Sequence, residues 1–181
     1  MGLQFNNNEI GILGNNRFCY LDSGFIFQRF LIVNMPHKRI FGFQPPLMPK
    51  FPKLLLCIED DEDDRISIEE AATETDPKLV FVAKPNGREA LTFLNHQKEQ
   101  HQLPCLILLD INMPVMNGKE TLVAIKKDPV LKDIPIIVFT TSSSKLDQLF
   151  CEQYGADMVT KPLRQYDLKR VIEQVVLSRC A

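Results

Sequence analysis

"KLLLCIEDDEDDRISIEEAATET", residues 53–75, sets how the rest of the chain is read. An unbroken apolar run, Leu54 to Ile58, stops at six consecutive acidic residues, Glu59 to Asp64. So short a run without alternation reads as a strand covered on both faces, as in a parallel sheet. The acidic residues that follow sit where the positive end of a helix dipole favours them. Ile66, Glu69/Glu70 and Ala71 to Thr73 are compatible with an amphipathic helix. Glu62, Asp63 and Asp64 therefore read as a solvated helix start.

The same pairing of apolar run and helix repeats to the end of the chain. "KLVFVA" (78–83) is a second strand, and "NG" at Asn86–Gly87 reads as a turn. "REALTFLNHQKEQ" is a helix with Ala90, Leu91, Phe93 and Leu94 inward. "CLILLD" is a third strand ending at Asp110, and the loop "MPVMNG" leads into the helix "KETLVAIKK", which Asp128–Pro129 stops. "IPIIVFTT" is a fourth strand, with Ser142 to Ser144 expected to cap the helix behind it. "ADMVTKP" is a fifth strand, and "RQYDLKRVIEQVVLSRC" a last helix. Five strands alternating with five helices predict an α/β fold, a parallel sheet covered on both faces.

Open sheets of this kind bind ligands beyond the C-terminal ends of their strands. Glu59 and Asp60 follow the first strand, Asp110 ends the third, Thr140 the fourth, and Lys161 follows the fifth. Thr140 rather than Thr141 directly ends the apolar run. Three carboxylates on one edge repel more than a single lysine can offset, and a hard divalent cation offsets them. All-oxygen donors suit Mg²⁺ or Mn²⁺.

These motifs, "IEDD", "LLDINMP", "NG", "VFTTS" and "TKP", resemble in order those of the receiver domain of two-component response regulators, over about 70% of the chain. The likeness is greatest to the stand-alone chemotaxis-type or phytochrome-associated kind. It implies a flavodoxin-like (βα)5 three-layer fold with strand order 2-1-3-4-5. It also implies that Asp110 accepts phosphate from a histidine kinase or a histidine phosphotransfer protein. Glu59 and Asp60, with Asp110, match the Mg²⁺-holding acids, and the main-chain carbonyl of Asn112 matches a further ligand. Thr140 and Lys161 match the hydroxyl and the lysine that meet the phosphoryl group, and Lys161–Pro162 matches a bond usually cis in this family. The resemblance makes the chain a signalling switch with at most slow autophosphatase activity, not an ordinary enzyme. Output is expected by protein contact through helix 4, strand 5 and helix 5, about residues 145–176, with a partner or a second copy. Two positions depart from the pattern. Glu59 stands where Asp is usual, and Met158 where many relatives carry an aromatic residue. A receiver fold used without phosphorylation is the alternative. A phosphohydrolase is disfavoured because the second Asp it would need falls at Asn112.

Composition narrows the remaining classes. The 181 residues carry a formal net charge of -2, which argues against a dedicated nucleic-acid partner. The stretch "GFIFQRFLIV" is too short for a membrane span and carries Arg29, so no membrane association and a cytoplasmic location are expected. Five cysteines without a CxxC pair point to a reduced protein, with Cys57 and Cys105 as small hydrophobes. Three histidines have no metal-ligand spacing. Residues 51–181 are read as the receiver. Residues 1–50 carry a charge of +3 and seven of the twelve Phe, and show no sustained periodicity. They are expected to be a poorly structured extension or upstream sequence, with the native product starting at Met48 or Met35 and mass spectrometry of that product as the check.

Overall fold

The computed structural model describes residues 10–13, 17–20, 33–34 and 52–180, in two units, Met1–Pro49 and Lys50–Ala181. In the first unit β1 (Ile10–Leu13), β2 (Arg17–Tyr20) and β3 (Val33–Asn34) pair antiparallel in that order. The sequence shows no sustained periodicity there. With two to four residues each, these strands are too short for an alternating pattern to show. The expected starts at Met35 and Met48 lie outside the described residues.

The second unit alternates as predicted. It runs β4 (Leu54–Ile58), α1 (Glu62–Thr75), β5 (Val80–Lys84), α2 (Gly87–Glu99), β6 (Leu106–Leu109) and α3 (Gly118–Lys127). It continues with β7 (Ile136–Thr140), α4 (Lys145–Gln153), β8 (Asp157–Thr160) and α5 (Gln165–Arg179). The five strands are parallel in the order β5-β4-β6-β7-β8, which is 2-1-3-4-5 counted within the unit.

Successive side chains leave a strand on opposite faces. Leu56, Ile58, Ile107, Leu109, Ile136 and Val138 pack on one face with Ala90, Leu94, Leu122, Ile125 and Cys151 from α2, α3 and α4. Leu55, Cys57, Leu106, Leu108, Ile137 and Phe139 pack on the other with Ile68, Ala72, Leu168, Ile172 and Val176 from α1 and α5. Two buried faces are the reason the central strands read as unbroken apolar runs. On α1 the inward residues are Ile68, Ala71 and Ala72, whereas Ile66 is exposed. Among the described residues no helix is long and apolar enough to cross a membrane.

The starts of α1, α2 and α3 are fixed by side chains. Asp61 accepts from the N–H of Asp64, Asn86 from that of Glu89, and Asn117 forms a reciprocal capping box with Glu120. Asn86–Gly87 is thus a cap and first helical residue rather than a free turn. Ser144 holds the N-cap position of α4 without a side-chain bond, correcting the expected serine cap. The Ser142 hydroxyl donates to Asp147 Oδ2 at 2.5 Å, a charge-assisted bond, and accepts from the Ser144 N–H at 3.2 Å.

Asp128 ends α3 and knits three segments together. Its carboxylate accepts from Lys98 Nζ at 2.7 Å and from the N–H groups of Val130 and Leu131 at 2.8 and 3.1 Å. The Lys98 bond, assisted by those two N–H groups, holds its carboxyl below the usual carboxylate range. The stability this supplies is present above the ordinary Asp pKa and is lost as pH falls through the lowered folded value. Asp128→Asn is expected to cost about 1 kcal/mol at pH 7. That difference should shrink as pH falls below the ordinary Asp pKa, as read by urea unfolding at several pH values.

One cysteine expectation is corrected. Cys105 and Cys180 form a disulfide, with Cα atoms 5.4 Å apart at a sequence separation of 75. The end of α5 returns beside the start of β6, and sequence spacing carries no trace of that meeting. Cys57 and Cys151 are free and buried. Burial pushes both thiols up, which keeps them protonated and unreactive.

Candidate functional site

The strand ends bring the predicted residues to one edge. Glu59 N–H donates to Lys84 O at 2.9 Å, Asp110 N–H to Ile58 O at 2.9 Å, and Lys161 N–H to Thr140 O at 2.8 Å. Each ladder therefore runs one residue past its strand and holds the functional side chain at the rim. Glu59 and Asp110 are buried, Asp60 is exposed, and one oxygen from each lies within 4.8 Å of the others.

Asp110 Oδ2 accepts from the Asn112 N–H at 3.1 Å. Asp110 Oδ1 is buried and has no hydrogen-bond partner among the described residues. A buried carboxylate oxygen with no donor is costly to desolvate. Its presence beside two more carboxylates fits a hard divalent cation as the missing partner.

Lys161 Nζ bonds Glu59 Oε2 at 2.5 Å and Asp64 Oδ2 at 2.7 Å. Burial works against its charge, but those two bonds outweigh burial and raise its pKa. Burial pushes the Glu59 carboxyl up to about 7, with Asp110 adding to the rise and Lys161 opposing it. Asp64, read from sequence as a solvated helix residue, is thus a lysine partner. Arg65 was missed as well: its Nη1 donates to the carbonyls of Glu59 and Asp60 at 3.0 and 2.8 Å and ties down the acidic loop. The available signal was the Asp61 cap, which places both residues in the first turn of α1 facing back toward that loop.

Thr140 is fully buried at the end of β7, and Thr141 is exposed. The Ser142 N–H donates to Thr140 Oγ1 at 3.3 Å. Through its hydroxyl, Ser142 reaches Asp147, which pairs with Lys119 of α3 at 2.6 Å. Met158 is half-buried and packs on the same cluster as Phe150 and Tyr154, whose ring centroids lie 4.9 Å apart. The Lys161–Pro162 bond is trans, correcting the expected cis bond. Trans is favoured by about 0.5–1 kcal/mol before proline, and the backbone here adopts that form.

In the loop between β6 and α3, Val115 has φ +67°, a left-handed conformation that a β-branched residue rarely takes, and its side chain is exposed. Val115→Asn, a residue that tolerates this region, is expected to raise stability by about 0.5–1 kcal/mol. Chemical unfolding of the two proteins side by side would show it, and an unchanged midpoint would argue against strain at this position.

Comparison with known proteins decides the family. The family model of the response regulator receiver domain matches residues 55–173. This chain belongs to the receiver domain family. The receiver is 35% identical over 129 residues to response regulator Rcp1 of Synechocystis sp., covering 68% of this chain and 86% of that one. It superposes on the phosphorylated cyanobacterial phytochrome response regulator RcpA with a TM-score of 0.67 and 29% identity, covering 71% and 94% of the two chains. With the Mn²⁺-bound form of Rcp1 the TM-score is 0.63 at 31% identity, covering 69% and 92%. The receiver is therefore homologous to single-domain response regulators of two-component systems, which are signalling proteins, and its fold is the flavodoxin-like one predicted.

Proposed function

We propose that the receiver is switched by phosphorylation of Asp110. The observation that carries this reading is the buried, unpartnered Asp110 Oδ1 among three carboxylates with Lys161 at hand. An Asp110 oxygen attacks the phosphorus of a phosphohistidine on a histidine kinase or histidine phosphotransfer protein. A P–O bond forms, the P–N bond breaks, and the imidazole leaves with the electron pair. Lys161 bonds a phosphoryl oxygen, and the Thr140 hydroxyl donates to another. Glu59, Asp60, Asp110 and the main-chain carbonyl of Asn112 would hold Mg²⁺, with Mn²⁺ a competent substitute. A divalent cation held there would supply positive charge to offset that of the phosphoryl oxygens.

Drawing Thr140 toward the phosphoryl group moves the Ser142 loop and, through Asp147, the start of α4. The surface of α4, β8 and α5 then binds a protein partner or a second copy of the chain. Leu146, Leu149, Leu163 and Tyr166 are large and exposed there, which supports a docking role. Hydrolysis of the acyl phosphate resets the switch slowly. A cytoplasmic location agrees with a kinase partner and the absence of a spanning helix among the described residues. The division at Pro49/Lys50 supports treating residues 51–181 as the receiver and 1–50 as a separate segment.

The test is intact mass after incubation with acetyl phosphate and Mg²⁺, beside Asp110→Asn. A base-labile gain of one phosphoryl group, absent from the variant and without Mg²⁺, is expected. No gain in folded protein from acetyl phosphate or from a phosphorylated histidine phosphotransfer protein would overturn the reading in favour of a phosphorylation-independent module.

A further inference from the structure

Two groups have claims on Glu59. It is one of the three clustered carboxylates, and its Oε2 is also 2.5 Å from Lys161 Nζ. An ammonium committed to that oxygen opposes a cation there twice, by occupying the lone pairs and by like-charge repulsion. The lysine has a second anion available. Asp64 Oδ2 lies 2.7 Å from the same Nζ, contributed by α1 rather than by a strand end.

Asp64 is held in place for this contact. Its N–H donates to the Asp61 cap at 3.1 Å, and the next residue, Arg65, grips the carbonyls of Glu59 and Asp60. The first turn of α1 and the acidic loop are therefore one braced unit, and Asp64 presents its carboxylate to Lys161 from outside the cluster. The Asp64 side chain is 44% exposed against 3% for Glu59, so its carboxylate stays in contact with water.

We propose that Asp64 is a positioning residue that draws the Lys161 ammonium off Glu59, leaving Glu59 free to hold a divalent cation. The proposal rests on the reading of Glu59, Asp60 and Asp110 as the cation site. Without Asp64, Glu59 is the one side-chain acceptor left bonded to Lys161 among the described residues, and the site also loses a nearby negative charge. Both effects weaken cation binding, so the sign is unambiguous. Asp63 supplies the control: it carries the same charge one residue away on the same helix turn and is exposed.

The experiment is isothermal titration of Mg²⁺, repeated with Mn²⁺, into the full chain and the variants Asp64→Asn, Asp63→Asn, Asp64→Glu and Glu59→Gln. Circular dichroism and thermal unfolding of each confirm the fold. Asp64→Asn is expected to weaken Mg²⁺ binding by about three- to tenfold. Asp63→Asn should change it by less than about twofold, and Asp64→Glu, which restores the anion, should recover most of the loss. Equal affinities for Asp64→Asn and Asp63→Asn would overturn the positioning role while leaving the cation site intact. Absence of Mg²⁺ and Mn²⁺ binding by the unsubstituted chain, or indifference to Glu59→Gln, would refute the cation site itself and the proposal with it.

Discussion

Alanine in place of Gly118 is expected to cost the receiver about 3 kcal/mol of folding stability, the upper end for overpacking a rigid site. A Cβ there would lie 2.0 Å from Asp110 O and 2.7 Å from Ile111 Cα. Both are backbone atoms, so no side chain can turn aside. The Gly118 N–H also donates to Ile111 O at 2.9 Å, which pins the start of α3 to the loop leaving β6. Gly87 makes the useful contrast. Its added Cβ would meet Thr121 Oγ1 at 1.8 Å, a side-chain atom that can be removed. Urea unfolding should show Gly87→Ala destabilised and partly rescued by Thr121→Ala, while Gly118→Ala stays low in the same background. Near-native stability of Gly118→Ala would mean that α3 does not approach the Asp110 loop this closely. Because the displaced atoms belong to Asp110 and Ile111, phosphoryl uptake should fall with stability in that variant.

Replacing Lys161 by methionine should cost about 2–3 kcal/mol in metal-free protein at pH 8. Breaking a buried ion pair commonly costs about 3–5 kcal/mol, and two features reduce that figure here. Asp64 can turn to water, and Glu59 can take up a proton. A carboxyl whose folded pKa is raised favours the folded state at low pH, and the contribution is lost as pH rises through that value. For Glu59 the shift is from 4.5 to about 7, and losing Lys161 removes the group that holds it down. The variant's deficit should therefore be smaller at pH 6 than at pH 8. The double variant Lys161→Met/Glu59→Gln should recover part of that loss, since it removes the buried carboxylate the lysine was bonded to. Equal deficits in the single and double variants would show that the lysine contributes packing rather than charge pairing. Acetyl phosphate labelling of the same single variant should be strongly reduced, because Lys161 is the ammonium nearest the acids.

How far the site could be read in advance differs residue by residue. Asp110 and Thr140 were legible because each ends an apolar run, and the end of a run is a local property. Asp64 was misread because its neighbours in sequence are acids that face water. What distinguishes it is a lysine 97 residues away. Ser142 was expected to serve a cap; its hydroxyl donates to Asp147, a contact that only the shape of the loop settles.

The sequence by itself determined the alternation of five strands with five helices, the burial of both sheet faces, and the collection of acids, hydroxyl and lysine at one edge. These follow from short-range patterns: apolar run length, period and capping residues act within a few positions. The tertiary structure alone decided which carboxylates share Lys161, that Ile68 rather than Ile66 turns inward, that Cys105 meets Cys180, and that α3 needs Gly118. Two of these depend on atoms brought together from distant parts of the chain, across 102 residues for Glu59 and Lys161 and 75 for the cysteines. The other two depend on how α1 is turned against α5 and the sheet, for Ile68, and on how α3 starts against the backbone leaving β6, for Gly118. No local pattern records such meetings, because they are selected by packing of the whole domain and cost nothing until the chain has folded.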